Sequence, residues 1–341
     1  MRAMVLSNIV DLTQNKDPLK LVELPKPQPS HNEVLVKVSV CGVCHTELDE
    51  IEGRTPPLRL PMVPGHQAIG TIEEVGSNVQ NFQEGDRVGI SWIYSACGQC
   101  RFCKEGKENL CQQFLATGRD VNGGYAEYMT IHSDFAFSIP KSFSDKQAAP
   151  MLCAGAIGYR SLMLTAAGNG KNFGLTGFGA SGHLVLYLIR HLYPDSNVYV
   201  FARNPNERAF ALKLGAAWAG DTMDSSPDPL DAIIDTTPVW KPVVEALRNL
   251  KPDGRFVMNA IRKEDGDKEY LMNLDYTEHL WMEKELKSVA NVTRKDVADF
   301  LKVAAEIPIK PQVQKFTLEK ANEALMQLKA GNIKGAKVLT L

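Results

Sequence analysis

The sequence contains no long apolar run; none reaches the roughly 18 residues that a membrane-spanning helix needs. It also lacks an excess of charge of either sign. Lys plus Arg is 38 and Asp plus Glu is 40, which leaves a formal net charge of −2 and a pI near 6.4. That balance gives no electrostatic footprint for nucleic acid or an anionic membrane. Internal repeats and low-complexity tracts are missing as well. The opening MRAMVLSNIVD has a single arginine and meets Asp11 before an apolar signal core forms. A soluble, cytoplasmic protein is the expectation. With 341 residues, about two domains are expected, at roughly 100–200 residues each.

Cysteine is present and unevenly placed. There are seven, an odd number, in a chain too long to need a disulfide framework. Cys97, Cys100, Cys103 and Cys111 read C-x2-C-x2-C-x7-C. Thiolates this close repel one another unless a cation holds them. A ferredoxin-type iron–sulfur pattern wants C-x2-C-x2-C-x3-C-P, but the last gap here is longer and Gln112 follows the final cysteine. A nucleic-acid zinc ribbon wants two C-x2-C pairs well separated on a basic chain. A closed four-cysteine zinc site that pins a loop fits best, and such a site supports the fold without doing chemistry.

Along the first 150 residues the pattern is strands and turns. Val34, Val36, Val38 and Val40 alternate with Leu35, Lys37 and Ser39. Strands are also expected at Thr71–Val75 and Gly85–Ile90, and a surface turn at Pro25–Ser30. After about Ala154 the texture becomes a β-α-β rhythm, that of a parallel sheet. Strands are expected at Phe173–Thr176, Asn197–Ala202, Leu230–Asp235 and Arg255–Asn259. Helices are expected at His183–Tyr193, from Pro205 to Leu214, and at Val243–Leu250. Two further helices, Lys295–Ala305 and Leu318–Lys329, precede a last strand, Lys337–Leu341.

Between the first of these strands and its helix stands Gly177-Phe178-Gly179-Ala180-Ser181-Gly182. This G-x-G-x-x-G is in the context a dinucleotide fold requires. Gly177 allows the tight turn, Gly179 lets backbone approach a pyrophosphate, and Gly182 lets the helix pack on the sheet. The helix N-terminus then offers free N–H groups to phosphate oxygens. The second strand should end in an acid if the cofactor is NAD, because a carboxylate binds the adenosine ribose 2′-hydroxyl. That position is Ala202, followed by Arg203, with Arg208 one helical turn on. The missing carboxylate removes repulsion of a 2′-phosphate, and a guanidinium can pair with it. NADP is therefore favoured over NAD.

Three further segments complete a pattern: Gly42-Val43-Cys44-His45-Thr46-Glu47, Gly65-His66-Gln67, and Leu152-Cys153-Ala154-Gly155. Taken with the cysteine loop and the glycine loop, in this order, the chain resembles the zinc-dependent alcohol dehydrogenases of the medium-chain dehydrogenase/reductase superfamily, yeast and bacterial branch. The resemblance covers essentially the whole chain. It implies an α/β fold: a GroES-like β catalytic domain (1–153) with both zinc sites, a Rossmann doubly wound parallel-sheet domain (154–288), and a C-terminal segment (289–341) completing the first. It implies a catalytic zinc on Cys44, His66 and Cys153, and a structural one on Cys97, Cys100, Cys103 and Cys111. Two cysteines, one histidine and an open corner are the alcohol dehydrogenase type of zinc site. It further implies that Thr46 starts a proton relay, that His45 contacts the cofactor pyrophosphate, and that Glu47 orients His66. Trp92 should line the substrate pocket, with Ile51 and Thr55 beside it. A homodimer or homotetramer acting on small alcohols, aldehydes or ketones is the implied assembly. A polyol or sugar dehydrogenase, or a binding protein that kept the fold, are the alternatives, and Cys153 argues against the first.

Four positions depart from the family pattern. Gln67 stands where the family has Glu. Asp49 stands where the branch has a histidine that passes the proton to solvent, and a carboxylate of ordinary pKa near about 4 is a poorer shuttle at pH 7. Ala202 replaces the ribose-binding acid. The C-terminal Gly-Arg motif reads Gly335-Ala336-Lys337, so a phosphate contact is either lost or moved to Lys337.

Overall fold

The computed structural model describes residues 1–307, 309, 311–331 and 335–341. The chain divides into two compact units, Met1–Cys153 with Thr293–Leu341, and Ala154–Val292.

The first unit is built on a seven-stranded sheet. Its path runs Val313–Thr317, Ala336–Thr340, Glu33–Val43, Ala68–Val75, Arg87–Ile90 and Ala136–Ser138, with Tyr128–His132 also paired to Glu33–Val43. The central strand Glu33–Val43 is covered on both faces, so Leu35 is as fully buried as Val34 and Val36. The expected alternation holds for Lys37, which is exposed. The late strand Ala336–Thr340 pairs antiparallel with Glu33–Val43, Leu339 opposite Cys41. The last segment of the chain thus shares a sheet with the first.

The second unit holds a six-stranded, wholly parallel sheet in the order Trp218–Gly220, Asn197–Phe201, Asn172–Thr176, Leu230–Asp235, Leu250–Met258, Glu285–Ser288. The chain builds outward on one side from Asn172–Thr176, then returns and builds outward on the other. The strands either side of that reversal, Asn172–Thr176 and Leu230–Asp235, mark the switch point where doubly wound sheets bind ligands at their carboxyl ends. Buried runs such as Val198–Phe201 and Ala232–Asp235 are what a sheet covered on both faces requires.

Several boundaries differ from the sequence reading. The helix expected over Val243–Leu250 is Lys241–Leu247, and Leu250 instead opens the strand Leu250–Met258. Pro252, Asp253 and Gly254 do not precede that strand but lie inside it, in a bulge between the pairings Leu230↔Leu250 and Ala232↔Arg255. The second unit also runs on to Val292 rather than ending at 288, because the Val289 amide still bonds the Met258 carbonyl at 2.9 Å. The strand Glu285–Ser288 went unread, since all four of its residues are exposed.

The chain re-enters the first unit through a helix, Arg294–Glu306, capped by buried Thr293. The Asp296 amide donates to the Thr293 hydroxyl at 3.2 Å, while the Thr293 amide donates to Asp296 Oδ2 at 2.8 Å. Thr293→Ala removes one half of this reciprocal cap, and we expect it to cost about 1–2 kcal/mol, measurable as a lowered midpoint of denaturant unfolding.

Candidate active site

Cys44 ends the long strand Glu33–Val43 and caps the helix His45–Ile51, its sulfur accepting the Thr46 amide at 3.4 Å. Three residues on, Glu47 reaches back. One of its oxygens accepts the Cys44 amide at 2.8 Å and the other accepts His66 Nδ1 at 2.6 Å. With Nδ1 committed to Glu47, His66 presents Nε2, which lies 3.7 Å from the Cys44 sulfur. Cys153 follows the short turn Ala149–Leu152, itself fully buried. The donor atoms of Cys44, His66 and Cys153 all lie within 4.8 Å of one another.

A metal suits this set on chemical grounds. The hydrogen bond with Cys153 and burial push the Cys44 thiol well above its ordinary range. Burial pulls the His66 imidazole down, but the charges of Glu47 and Cys44 outweigh it and the net direction is up. The pocket therefore holds protons unless a cation replaces them, which is how metal binding to thiolates and imidazole releases protons. Two sulfurs and one imidazole nitrogen leave one tetrahedral corner for another ligand.

Cys97, Cys100, Cys103 and Cys111 form the second cluster, again with all sulfurs within 4.8 Å. The amides of Gln99 and Cys100 lower Cys97 to about 6, whereas burial raises Cys103 to about 12. The loop is tied to the re-entrant helix: Arg294 donates through its amide to Glu108 at 2.6 Å. A four-sulfur set has no vacant corner.

The other expected residues fare differently. Thr46 stands in the first turn beside Cys44, half-buried, and His45 is exposed there. Asp49 is buried and its Oδ1 accepts Arg54 Nε at 2.6 Å. Trp92 packs against Phe114 at 5.3 Å, with the Arg119 guanidinium 4.9 Å over its ring. Thr55 is half-buried, and its hydroxyl finds no partner. Ile51, expected beside the substrate pocket, is fully buried in the hydrophobic core. Lys337 is not a surface phosphate contact. It is 2% exposed and donates to Gln314 Oε1 at 2.7 Å and Gln327 Oε1 at 3.2 Å. The strand Ala336–Thr340 is buried on both faces from Lys337 to Leu339, so a lysine at this position is enclosed and needs polar partners.

In the second unit the glycine loop has the shape its sequence implied. Gly177 has φ +75°, a conformation open to glycine. A Cβ at Gly182 would sit 2.7 Å from the Gly177 carbonyl oxygen, so a side chain there is excluded. Nothing lies within 4 Å of where a Cβ at Gly179 would be, which leaves that backbone open to a ligand. Ala180 and Ser181 open the helix Ala180–Leu192. Ala202 is buried, as is Phe201 before it, and Arg203 is exposed. Arg208 is engaged through one nitrogen: its Nη1 donates to the carbonyls of Ala202 and Arg203 and to Asp221.

Sequence reasoning missed one buried network at the switch point. The fully buried Asp235 carboxylate accepts Thr176 Oγ1 at 2.5 Å and Thr237 Oγ1 at 2.7 Å, and Lys263 donates to it as well. Asp235 ends an expected strand, but nothing in the sequence pointed to Lys263.

A GroES-like sheet bearing a cysteine–histidine cluster, in one chain with a doubly wound sheet and a glycine loop, defines the medium-chain dehydrogenase/reductase class of oxidoreductases. The family described as alcohol dehydrogenase GroES-like domain matches residues 30–141. The "Probable alcohol dehydrogenase AdhA" of Mycobacterium tuberculosis (strain CDC 1551 / Oshkosh) is 41% identical over 95% of this chain and 93% of its own. An alcohol dehydrogenase of Geobacillus stearothermophilus is 34% identical over 96% and 97%. The solved structure of CAD from Helicobacter pylori complexed with NADP(H) superimposes with a TM-score of 0.83 at 22% identity, covering 99% of this chain and 97% of that one. The chain belongs to the alcohol dehydrogenases of the medium-chain superfamily. No helix among the described residues is long and apolar enough to cross a membrane.

Two outcomes are expected from the metal chemistry. Glu47→Gln should weaken zinc binding at the Cys44 site about 10–100-fold, as loss of a ligand-orienting carboxylate does, read by chelator competition. Because bound metal displaces protons, zinc affinity should rise with pH, by about tenfold per pH unit for each proton released. The same titration between pH 6 and 8, compared by proton-release calorimetry, checks the sign.

Proposed function

We propose that this alcohol dehydrogenase is zinc-dependent, holds two zinc ions per chain, and moves hydride between NADP and an alcohol/aldehyde or ketone pair. The observation that carries the reading is the convergence of Cys44, His66 and Cys153 within 4.8 Å. When bound there, zinc supplies Lewis acidity to the substrate oxygen, and the nicotinamide ring is the hydride partner. The chain's own residues do the rest. Glu47 fixes the His66 ring and its tautomer. The four-cysteine loop holds the structural ion.

Proton movement begins at the Thr46 hydroxyl, one residue from His45 and two from Cys44. It does not end at Asp49, whose carboxylate is buried and ion-paired to Arg54. The relay runs instead through the cofactor ribose hydroxyl or through water. In the second unit the open backbone at Gly179 and the helix N-terminus behind it suit a pyrophosphate. Exposed Arg203, beside an Ala202 that lacks a carboxylate, supports NADP over NAD.

For the substrate, the Trp92 and Phe114 rings support aliphatic or aromatic alcohols and aldehydes rather than polyols. A homodimer or homotetramer is also proposed. It is supported by an exposed edge strand, Glu285–Ser288, flanked by exposed Tyr276, Trp281 and Met282. Seven cysteines without a disulfide suit a reducing, cytoplasmic setting.

Steady-state kinetics tests the cofactor reading: kcat/KM should favour NADP by about tenfold or more, the scale of one charge-assisted contact. A tenfold preference for NAD removes it. For the relay, Thr46→Ala should lower kcat by about 100-fold or more, the usual worth of a positioned proton-transfer group. Asp49→Asn should lower it far less, and equal losses would show that the proton leaves through Asp49.

A further inference from the structure

The strands Asn197–Phe201 and Trp218–Gly220 are neighbours, and they end together. The Ala202 amide donates to the Gly220 carbonyl at 3.0 Å. Two opposite charges meet at that edge. From the helix Pro205–Lys213, Arg208 directs one nitrogen, Nη1, at three oxygens: the Ala202 carbonyl at 2.7 Å, the Arg203 carbonyl at 3.0 Å and Asp221 Oδ2 at 3.0 Å. Asp221 follows directly after the neighbouring strand, and its Oδ1 accepts the Thr222 amide at 2.7 Å. Its side chain is 46% exposed, so the carboxylate is open to whatever binds along this edge. Arg203 is exposed and makes no ion pair among the described residues.

In a doubly wound sheet the end of the second strand is where an adenosine ribose is held, and an acid there selects the bare 2′-hydroxyl. Position 202 has no acid. The neighbouring strand nevertheless brings one to the same edge, within reach of a single nitrogen that also touches Ala202. An unneutralised carboxylate there would repel a 2′-phosphate and accept from a hydroxyl. We propose that Asp221 is a latent selector for the non-phosphorylated dinucleotide and that Arg208 silences it, leaving Arg203 to pair with a 2′-phosphate. The proposal rests on the NADP reading above and adds the pair of residues that enforces it. Arg208 acts through Asp221 and is a positioning residue: its guanidinium braces two carbonyls and cancels one charge.

The test is fluorescence titration of NADPH and NADH on wild type, Arg208→Gln, Asp221→Asn and the double variant Arg208→Gln/Asp221→Asn, with thermal melts run alongside. Arg208→Gln should lower the NADPH-to-NADH affinity ratio by about tenfold, the scale of one uncompensated charge near a surface. The double variant should restore the ratio. Both variants lack the guanidinium's hold on the two carbonyls, so they differ only in the carboxylate. A ratio that stays low in the double variant, or never falls in the single one, overturns the proposal. Should Arg208→Gln fail to fold, Asp221→Asn decides: it keeps the guanidinium, and its NADPH preference must equal or exceed wild type. A shift toward NADH in that variant overturns the proposal. The wild-type ratio is read separately, and a preference for NADH there defeats the cofactor reading itself.

Discussion

One carboxylate organises the catalytic unit's chemistry. Glu47 accepts from the Cys44 amide and from His66 Nδ1, and it is completely buried. The first bond closes the start of a helix, and the second fixes a ring on a separate loop. Because a single side chain makes both, the helix cannot start elsewhere without turning His66, and His66 cannot turn without leaving a buried acid unpartnered. An unpaired buried polar group costs about 1–3 kcal/mol, more if charged, so the arrangement is held from both ends. The same helix start sets Thr46 beside the Cys44 sulfur. The Cys44 sulfur, the His66 ring and Thr46 thus derive their relative placement from one backbone event.

The second unit uses buried charge in a different way. Asp235 and Lys263 pair at the carboxyl ends of the two strands that flank the switch point, with Thr176 and Thr237 completing the acid's hydrogen bonds. Such a pair is weak evidence for stability, since desolvation offsets much of the attraction. Its effect is positional: it binds the end of one central strand to the other and to the loop that follows. Gly177 lies against that loop, with Thr236 and Thr237 about where its Cβ would be. A rigid floor under the glycine turn is what close approach to a ligand demands.

Much of this was legible in the sequence, and for identifiable reasons. Cysteine spacing is a local property, and so is a glycine loop between a strand and a helix. Leu230–Asp235 matched to the residue because a short β-branched, largely apolar segment bounded by turn residues has few alternatives. The Cys44, His66 and Cys153 cluster needed more, since its members come from three distant segments and only the resemblance joined them. Misreadings followed from properties that one-dimensional patterns do not carry. Lys337 has the composition of a surface cation, yet it lies in a strand buried on both faces and bonds Gln314 and Gln327. Ile51 lies close in sequence to Cys44, but it packs in the core. Arg208 has the position of a phosphate contact, yet Asp221, brought in by the neighbouring strand, engages one of its nitrogens.

The catalytic sheet is completed by Ala336–Thr340 pairing with Glu33–Val43, and this orders events on the ribosome. The Rossmann segment is continuous, Ala154–Val292, so its own strands and helices have all been made before Thr293–Leu341 returns to the first unit. The other unit must wait, its early strands exposed along the edge that the final strand will cover. Long-range pairing of this kind is slow, and it leaves strand edges open to other chains. Until Ala336–Thr340 is made, the nascent chain is therefore open to mis-association along that edge of the sheet.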